Sequence, residues 1–228
     1  MNRPKLHYTR LLCSVWVMIA LLPVLNSISA QGFTIARIHY SGGGDWYSDP
    51  SSLPNLLNYL SSRTFIKSAR DEVRIKLTDK ELTSYPYLYM TGHGNVKFTD
   101  DDAFTLRDHL LAGAFLHADD NYGMDKSFRR EMKNVFPEKD WVELPLDHPV
   151  FNCFYEIETL DMVPPYRVRG KPTFYGLEDD HGRLQVVVNF NNDIGDFWEW
   201  SDEQFHPIQL SNEAYKFGVN YIIYALTH

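Results

Sequence analysis

The chain has 228 residues, 44% apolar and 23% charged, a globular composition that excludes a disordered tail, a collagen-like repeat and a disulfide-dense miniprotein. Its formal net charge is -8, whereas nonspecific nucleic-acid binding needs clustered Lys and Arg. The length suits one domain or two small ones, and no linker rich in Pro, Gly or Ser divides it, so one domain is expected.

Arg3, Lys5 and Arg10 form a basic start, residues 11–25 are apolar, and Asn26-Ser27-Ile28-Ser29-Ala30 is short and small. This order is that of a secretory signal peptide and predicts cleavage after Ala30, leaving 31–228 as the domain. The apolar run is shorter than the roughly 20 residues a membrane span needs and contains Pro23. The expectation is an exported protein, periplasmic or secreted, with no stable membrane anchor after cleavage. Residues 1–30 hold three of the 22 basic residues and none of the 30 acidic ones, so the remainder carries about -11. Of the two cysteines only Cys153 is left, which excludes an internal disulfide. Its neighbours Phe151, Phe154 and Tyr155 predict a buried, structural thiol.

Strands then alternate with helices. Residues 33–40 are β-branched and aromatic and stop at Ser41-Gly42-Gly43-Gly44. Leu53, Leu56, Leu57 and Leu60 recur at helical spacing. Val73, Ile75 and Leu77 alternate with Arg74 and Lys76, as in a half-exposed strand near a sheet edge. Tyr87-Leu88-Tyr89-Met90 is a short strand running into Thr91-Gly92-His93-Gly94. Thr99, with Asp102 three residues on, predicts a capped helix start, and Ala103, Leu106, Leu110 and Leu111 its buried stripe. Residues 114–118 form the next strand, and Phe128, Met132, Val135 and Phe136 mark a helix stopped by Pro137. Residues 173–177 and 184–188 flank a Gly-containing turn, as in a hairpin. A last helix is expected over residues 212–225. Repeated strand–helix alternation argues for βαβ units and a mostly parallel sheet, with the hairpin as a C-terminal extension.

In an open parallel sheet the loops leaving the carboxyl ends of the strands share one edge, where ligands bind. Three such loops carry unusual chemistry. Gly42-Gly43-Gly44-Asp45-Trp46-Tyr47 combines backbone freedom at Gly43 and Gly44 with the Asp45 carboxylate and the flat face of Trp46. Thr91-Gly92-His93-Gly94 sets one imidazole between two glycines. Asp119-Asp120-Asn121-Tyr122-Gly123 places adjacent carboxylates between a strand and a helix. Each loop also has a plain structural reading: a tight turn, a loop histidine, and a helix cap. Convergence of the three at one crevice favours a ligand site of Gly43, Gly44, Asp45, Trp46, His93, Asp119, Asp120 and Tyr122, with Asp193 as a further wall.

Other residues are weaker candidates. His148 has nothing that fixes its position. Asn189, Asn191 and Asn192 end the Val-rich strand beside Asp193. Phe197-Trp198-Glu199-Trp200 is expected to pack or to line a rim, and Asp100-Asp101-Asp102 to form a solvated helix start. His117, within a strand, reads as a satisfied core histidine. The chain has no zinc signature, no phosphate-binding glycine fingerprint and no Gly-x-Ser-x-Gly elbow. Asp45, Asp119, Asp120 and Asp193, with His93, are oxygen and nitrogen donors suited to a divalent ion, but without a diagnostic spacing. No particular cofactor follows from these residues.

Several of these segments also carry a family resemblance. Tyr40-Ser41-Gly42-Gly43-Gly44-Asp45-Trp46-Tyr47, Thr91-Gly92-His93-Gly94, Ala118-Asp119-Asp120-x-x-Gly123, Phe128-Arg129 and Val135-Phe136-Pro137 resemble the bacterial family of domain of unknown function 4159. Asn192-Asp193-Ile194-Gly195-x-x-Trp198-Glu199 is similar to its closing motif. The resemblance implies a class I glutamine-amidotransferase-like fold, an α/β three-layer sandwich of flavodoxin-like type. Amidotransferases of this fold place a nucleophilic cysteine at the sharp strand-to-helix turn. The corresponding turn here has no cysteine, and Asn121 cannot replace a thiolate, so glutamine hydrolysis is not expected.

Two readings follow. The first is an exported binding or scaffold domain whose crevice takes a small polar ligand or a protein partner. The second is a hydrolase using His93 and the Asp cluster, with or without a metal, on a small polar or sugar-like substrate.

Overall fold

The computed structural model describes residues 32–120, 123–163, 170–202 and 207–228. Residues 1–31, where a signal peptide is expected, and Asn121 and Tyr122 lie outside the described residues.

Seven strands form one mixed sheet: β1 (Ala36–Ile38), β2 (Val73–Ile75), β3 (Tyr87–Thr91), β4 (Phe115–Asp119), β5 (Val142–Glu143), β6 (Thr173–Glu178) and β7 (Leu184–Phe190). Their order across the sheet is β2-β1-β3-β4-β7-β6-β5. The pairings β2–β1, β1–β3, β3–β4 and β4–β7 are parallel, and β7–β6 and β6–β5 are antiparallel. The hairpin is therefore not an appendage. Its second strand pairs in parallel with β4 along residues 116–119, deep in the sheet, and only β6 and β5 extend outward from it. The run Val186-Val187-Val188, buried on both sides, is what a central parallel strand requires.

The helices are α1 (Ser52–Arg63), α2 (Asp100–Leu111), α3 (Asp125–Val135), α4 (Ile194–Glu199) and α5 (Ile208–Thr227). None of the described helices is long and apolar enough to cross a membrane. Alternation along the strands sorts their side chains into two hydrophobic clusters. Ile35, Tyr87, Tyr89, Phe115 and Val187 pack with the leucines of α1, with Phe197 and Trp198 of α4, and with Phe217 and Tyr221 of α5. Ala36, Ile38, Leu88, Met90, Leu116, Val186 and Val188 pack with Leu106 and Leu110 of α2 and with Phe128 and Met132 of α3.

The predicted capping box is present. Thr99 Oγ1 accepts from Asp102 N at 3.1 Å, and Asp102 Oδ2 accepts from Thr99 N at 2.9 Å. A cap of this kind stabilises a helix by about 1 kcal/mol. Strand one is shorter than the sequence suggests, and α5 starts four residues earlier. Helix α4 was not expected as a helix. Asp193 caps it by accepting from Asp196 N at 2.9 Å, and it continues directly from β7. Together, β1, β3, β4 and β7 send the loops that lead to α1, α2, α3 and α4 off the same edge of the sheet.

Candidate functional site

The loops after β1 and β3 are bonded to each other. Lys97 N donates to Ser41 O at 2.7 Å, Gly44 N to Asn95 O at 3.1 Å, and Asp45 N to His93 O at 3.3 Å. Glycine is needed at this seam. A Cβ on Gly92, whose φ is +135°, would lie 2.5 Å from Tyr40 Oη and 2.9 Å from Asp45 O. One on Gly44 would meet Tyr40 Oη at 2.8 Å and His93 O at 2.9 Å.

The close approach brings two predicted residues into direct contact. Asp45 Oδ1 accepts the backbone N–H of His93, and Asp45 Oδ2 lies 3.0 Å from His93 Nδ1. The carboxylate thus favours the tautomer with the proton on Nδ1, so Nε2 carries the lone pair. The His93 side chain is 42% exposed. Helix α3 supports this loop from below. Ser127 Oγ accepts from Val96 N at 2.9 Å, Glu131 Oε2 accepts from Phe98 N at 3.0 Å, and Arg130 donates to Val96 O at 2.8 Å.

Gly44 belongs to the same seam, and the remaining predicted residues have contacts of their own. Asp120 is 3% exposed, and its Oδ1 accepts from Met124 N at 2.8 Å and Asp125 N at 3.1 Å, so it tethers the start of α3. Burial raises its pKa. Trp46 stacks on His39, with ring centroids 4.1 Å apart. Gly43 is exposed, with open space where a Cβ would stand. Asp119 and Asp193 are both buried; Asp193 caps α4, and Asp119 belongs to a polar network that the sequence reading did not foresee as one unit.

That network runs across β3, β4 and β7. Tyr87 Oη lies 3.2 Å from His117 Nδ1, and His117 Nε2 lies 2.6 Å from Asn189 Oδ1. These partners place the proton of a neutral His117 on Nε2. Asn189 Nδ2 donates to Asp119 Oδ1 and, at 2.6 Å, to Asn192 O. Asp119 also accepts from Ile194 N at 3.1 Å, Gly195 N at 2.6 Å and Tyr89 Oη at 2.9 Å. Burial pushes Asp119 up to about 6, against the opposing pull of these donors. His117 is pushed down to about 3 by burial, with the Asn189 bond opposing.

Arg37, fully buried, lies over the Tyr89 ring and donates to Ser48 O at 2.7 Å and Asp49 O at 3.1 Å. It thereby anchors the far end of the β1 loop. Asp49 in turn meets Asp196 and Glu199 of α4, with ligand oxygens all within 4.8 Å of one another. The sequence reading missed Arg37, Asp49, Asp196 and Glu199 as site candidates. Asp193 ahead of Ile194, Phe197 and Trp198 at helical spacing, with Asp196 three residues after Asp193, is the signal that would have found α4 and its acidic face.

His148 does not reach the His93 edge. It caps the short turn Pro149–Phe151 by accepting from Val150 N at 3.1 Å, and its Nε2 lies 3.8 Å from Glu178 of β6. Cys153 Sγ lies 3.2 Å from Asn220 O, and burial pushes its thiol up to about 11. Little thiolate forms at neutral pH, so labelling by a disulfide reagent is expected to be at least tenfold slower than for a small free thiol. Cys153→Ser should leave ligand binding at the His93 edge unchanged. Labelling of the native protein as fast as the free thiol would contradict this.

A comparison with curated proteins gives no match. The family model described as "Domain of unknown function (DUF4159)" matches residues 34–226, which hold every strand described above and all but the last residue of α5. The chain therefore belongs to the DUF4159 family.

Proposed function

We propose that this protein binds a small polar ligand at the carboxyl edge of its sheet, with His93 as the group that meets it. The observation that carries the reading is the contrast between two histidines. His117 has both ring nitrogens engaged inside the core. His93 is oriented through Nδ1 by Asp45 and is 42% exposed. A loop imidazole held in one tautomer at such an edge is arranged to accept a hydrogen bond through Nε2 from a ligand hydroxyl. The acidic net charge favours a neutral or cationic ligand over an anionic one or a nucleic acid.

The same pair favours one second reading. A carboxylate-oriented imidazole is also the arrangement of a general base, which would take a proton from water or a hydroxyl during hydrolysis. Export belongs to both readings and rests on the charged, apolar and small-residue order of residues 1–30. A three-layer, flavodoxin-like and amidotransferase-like arrangement also belongs to them, supported by the two clusters that the strands feed.

The test is NMR of the purified chain, titrated with a panel of monosaccharides, polyols and amino acids. Binding should shift the amides of Gly92, His93 and Gly94. His93→Ala should abolish the shifts while changing stability by less than about 0.5 kcal/mol, as for a surface substitution. Shifts that survive in His93→Ala would refute the role of His93. Hydrolysis of nitrophenyl esters or glycosides by the wild type, lost in His93→Ala, would select the second reading.

A further inference from the structure

Beyond their last paired residues, Ile38 and Ile75, strands β1 and β2 part. One more bond, from His39 N to Ile75 O at 2.8 Å, joins them, and then each chain turns to another partner. Ser41 O accepts from Lys97 N at 2.7 Å, which draws the end of β1 to the loop after β3. After β2, Asp79 turns the chain: its Oδ2 accepts from Lys76 N at 2.8 Å, and its own N–H donates to Lys76 O at 3.1 Å. The start of α2, fixed by the Thr99–Asp102 capping box, borders the gap. The three segments enclose a cavity of about 250 Å³.

The walls of this cavity are of two kinds. Tyr40, Leu77 and Phe98 belong to the hydrophobic cluster on the α2/α3 side and give it an apolar, partly aromatic floor. Ser41, Lys76, Thr78 and Asp101 are exposed and give it a polar rim. Among the described residues the side chains of these four make no hydrogen bond and no ion pair. The rim therefore keeps two hydroxyls, one carboxylate and one ammonium whose bonding capacity is unspent.

We propose that the cavity between the ends of β1 and β2 binds a neutral monosaccharide. A pyranose is amphipathic in the way the cavity is. Its C–H groups form an apolar face that suits the floor of Tyr40 and Phe98. Its hydroxyls each donate and accept, which matches Ser41 and Thr78, and Asp101 adds a charged acceptor, the stronger kind of hydrogen bond. Both signs of charge border the cavity, Lys76 against Asp101 and Asp102, so neither an anion nor a cation gains from the rim as a whole. At about 30 Å³ for each water-sized group the space holds about eight, which suits one small ring and not a chain. His93 and Asp45 are not among the walls, so this site does not depend on ligand capture by His93.

The purified chain is titrated with glucose, galactose, mannose and N-acetylglucosamine, and with alanine and succinate as zwitterionic and anionic controls, followed by amide NMR. At least one sugar should shift the amides of Leu77, Thr78 and Thr99 with a Kd of about 0.1–10 mM, as a cavity of this size permits. Neither control should do so. Asp101→Ala should weaken binding of that sugar at least tenfold, because it removes a charged hydrogen-bond partner. Thr78→Phe, which fills the cavity from an exposed position, should abolish it. The Leu77 and Thr78 shifts should persist in His93→Ala. No shift at these amides with any of the four sugars overturns the proposal, and shifts confined to Gly92, His93 and Gly94 overturn it while leaving the reading of His93 standing. Binding of the sugar by both variants as by wild type overturns it too, and tighter binding of alanine or succinate overturns the choice of ligand. Should one variant fail to fold, the other variant and the wild-type titration still decide.

Discussion

Replacing Asp119 by Ala is expected to destabilise the protein by about 4 kcal/mol, the range for breaking a buried charged network. The carboxylate accepts from Asn189 Nδ2, Tyr89 Oη and the backbone N–H groups of Ile194 and Gly195. All of these lie in the interior, where a donor stripped of its partner costs about 1–3 kcal/mol. Two of the donors are main-chain groups that no compensating side-chain change can remove. The acid itself is not a comfortable occupant, since burial pushes it up to about 6 despite four donors. Its value therefore lies in the donors it satisfies more than in its charge. Asp119→Asn keeps the volume and one acceptor oxygen but turns an amide toward two of the donors, so an intermediate loss of about 2 kcal/mol is expected. Denaturant unfolding at neutral pH, followed by tryptophan fluorescence, measures both. A loss below about 1 kcal/mol for Asp119→Ala would show that water or a shift of α4 repairs the network.

Asp119 also shows where sequence reasoning stops. The strand, the following carboxylates and the helix after them were all legible, because apolar runs, caps and glycines are local signals. The Asp45–His93 contact was legible in outline for the same reason. Both residues follow strands that had to be parallel, and glycines flank them. The direction of a side chain off a strand end was not legible. Asp119 and Asp120 are neighbours, yet they point to opposite faces, one into the α4 network and one onto the start of α3. The place of β7 in the sheet was hidden as well. A valine run reads alike in an edge hairpin and in a central strand until its pairing partner is known. Asp49 gave no local sign of its role, because its neighbours Asp196 and Glu199 are contributed by a helix some 150 residues away and are brought to it only by tertiary folding.

His117 is expected to make the protein acid-sensitive through a single side chain. The imidazole is fully buried between Tyr87 Oη and Asn189 Oδ1, and burial pushes it down to about 3 from an ordinary value near 6.5. The unfolded chain thus binds a proton through this residue below about pH 6.5, and the folded chain does not until about pH 3. Between these values the unfolded state holds more protons, so stability falls as pH falls. The contribution is fully present above the unfolded value and is lost on the way down to the folded one. The slope approaches about 1.4 kcal/mol per pH unit, which accumulates to at most about 5 kcal/mol near the acid end. Protonation would also turn Nδ1 from an acceptor of the Tyr87 hydroxyl into a second donor, so the network cannot absorb the charge without rearranging. His117→Gln keeps an amide that can donate toward Asn189 and removes the titration. Its stability at neutral pH should be lower than wild type, but its stability should decline less steeply from about pH 7 to pH 4. The carboxylates titrate in both proteins, so the difference between the two curves isolates the histidine. Parallel curves from urea unfolding across that range would mean that His117 is reached by water and titrates normally.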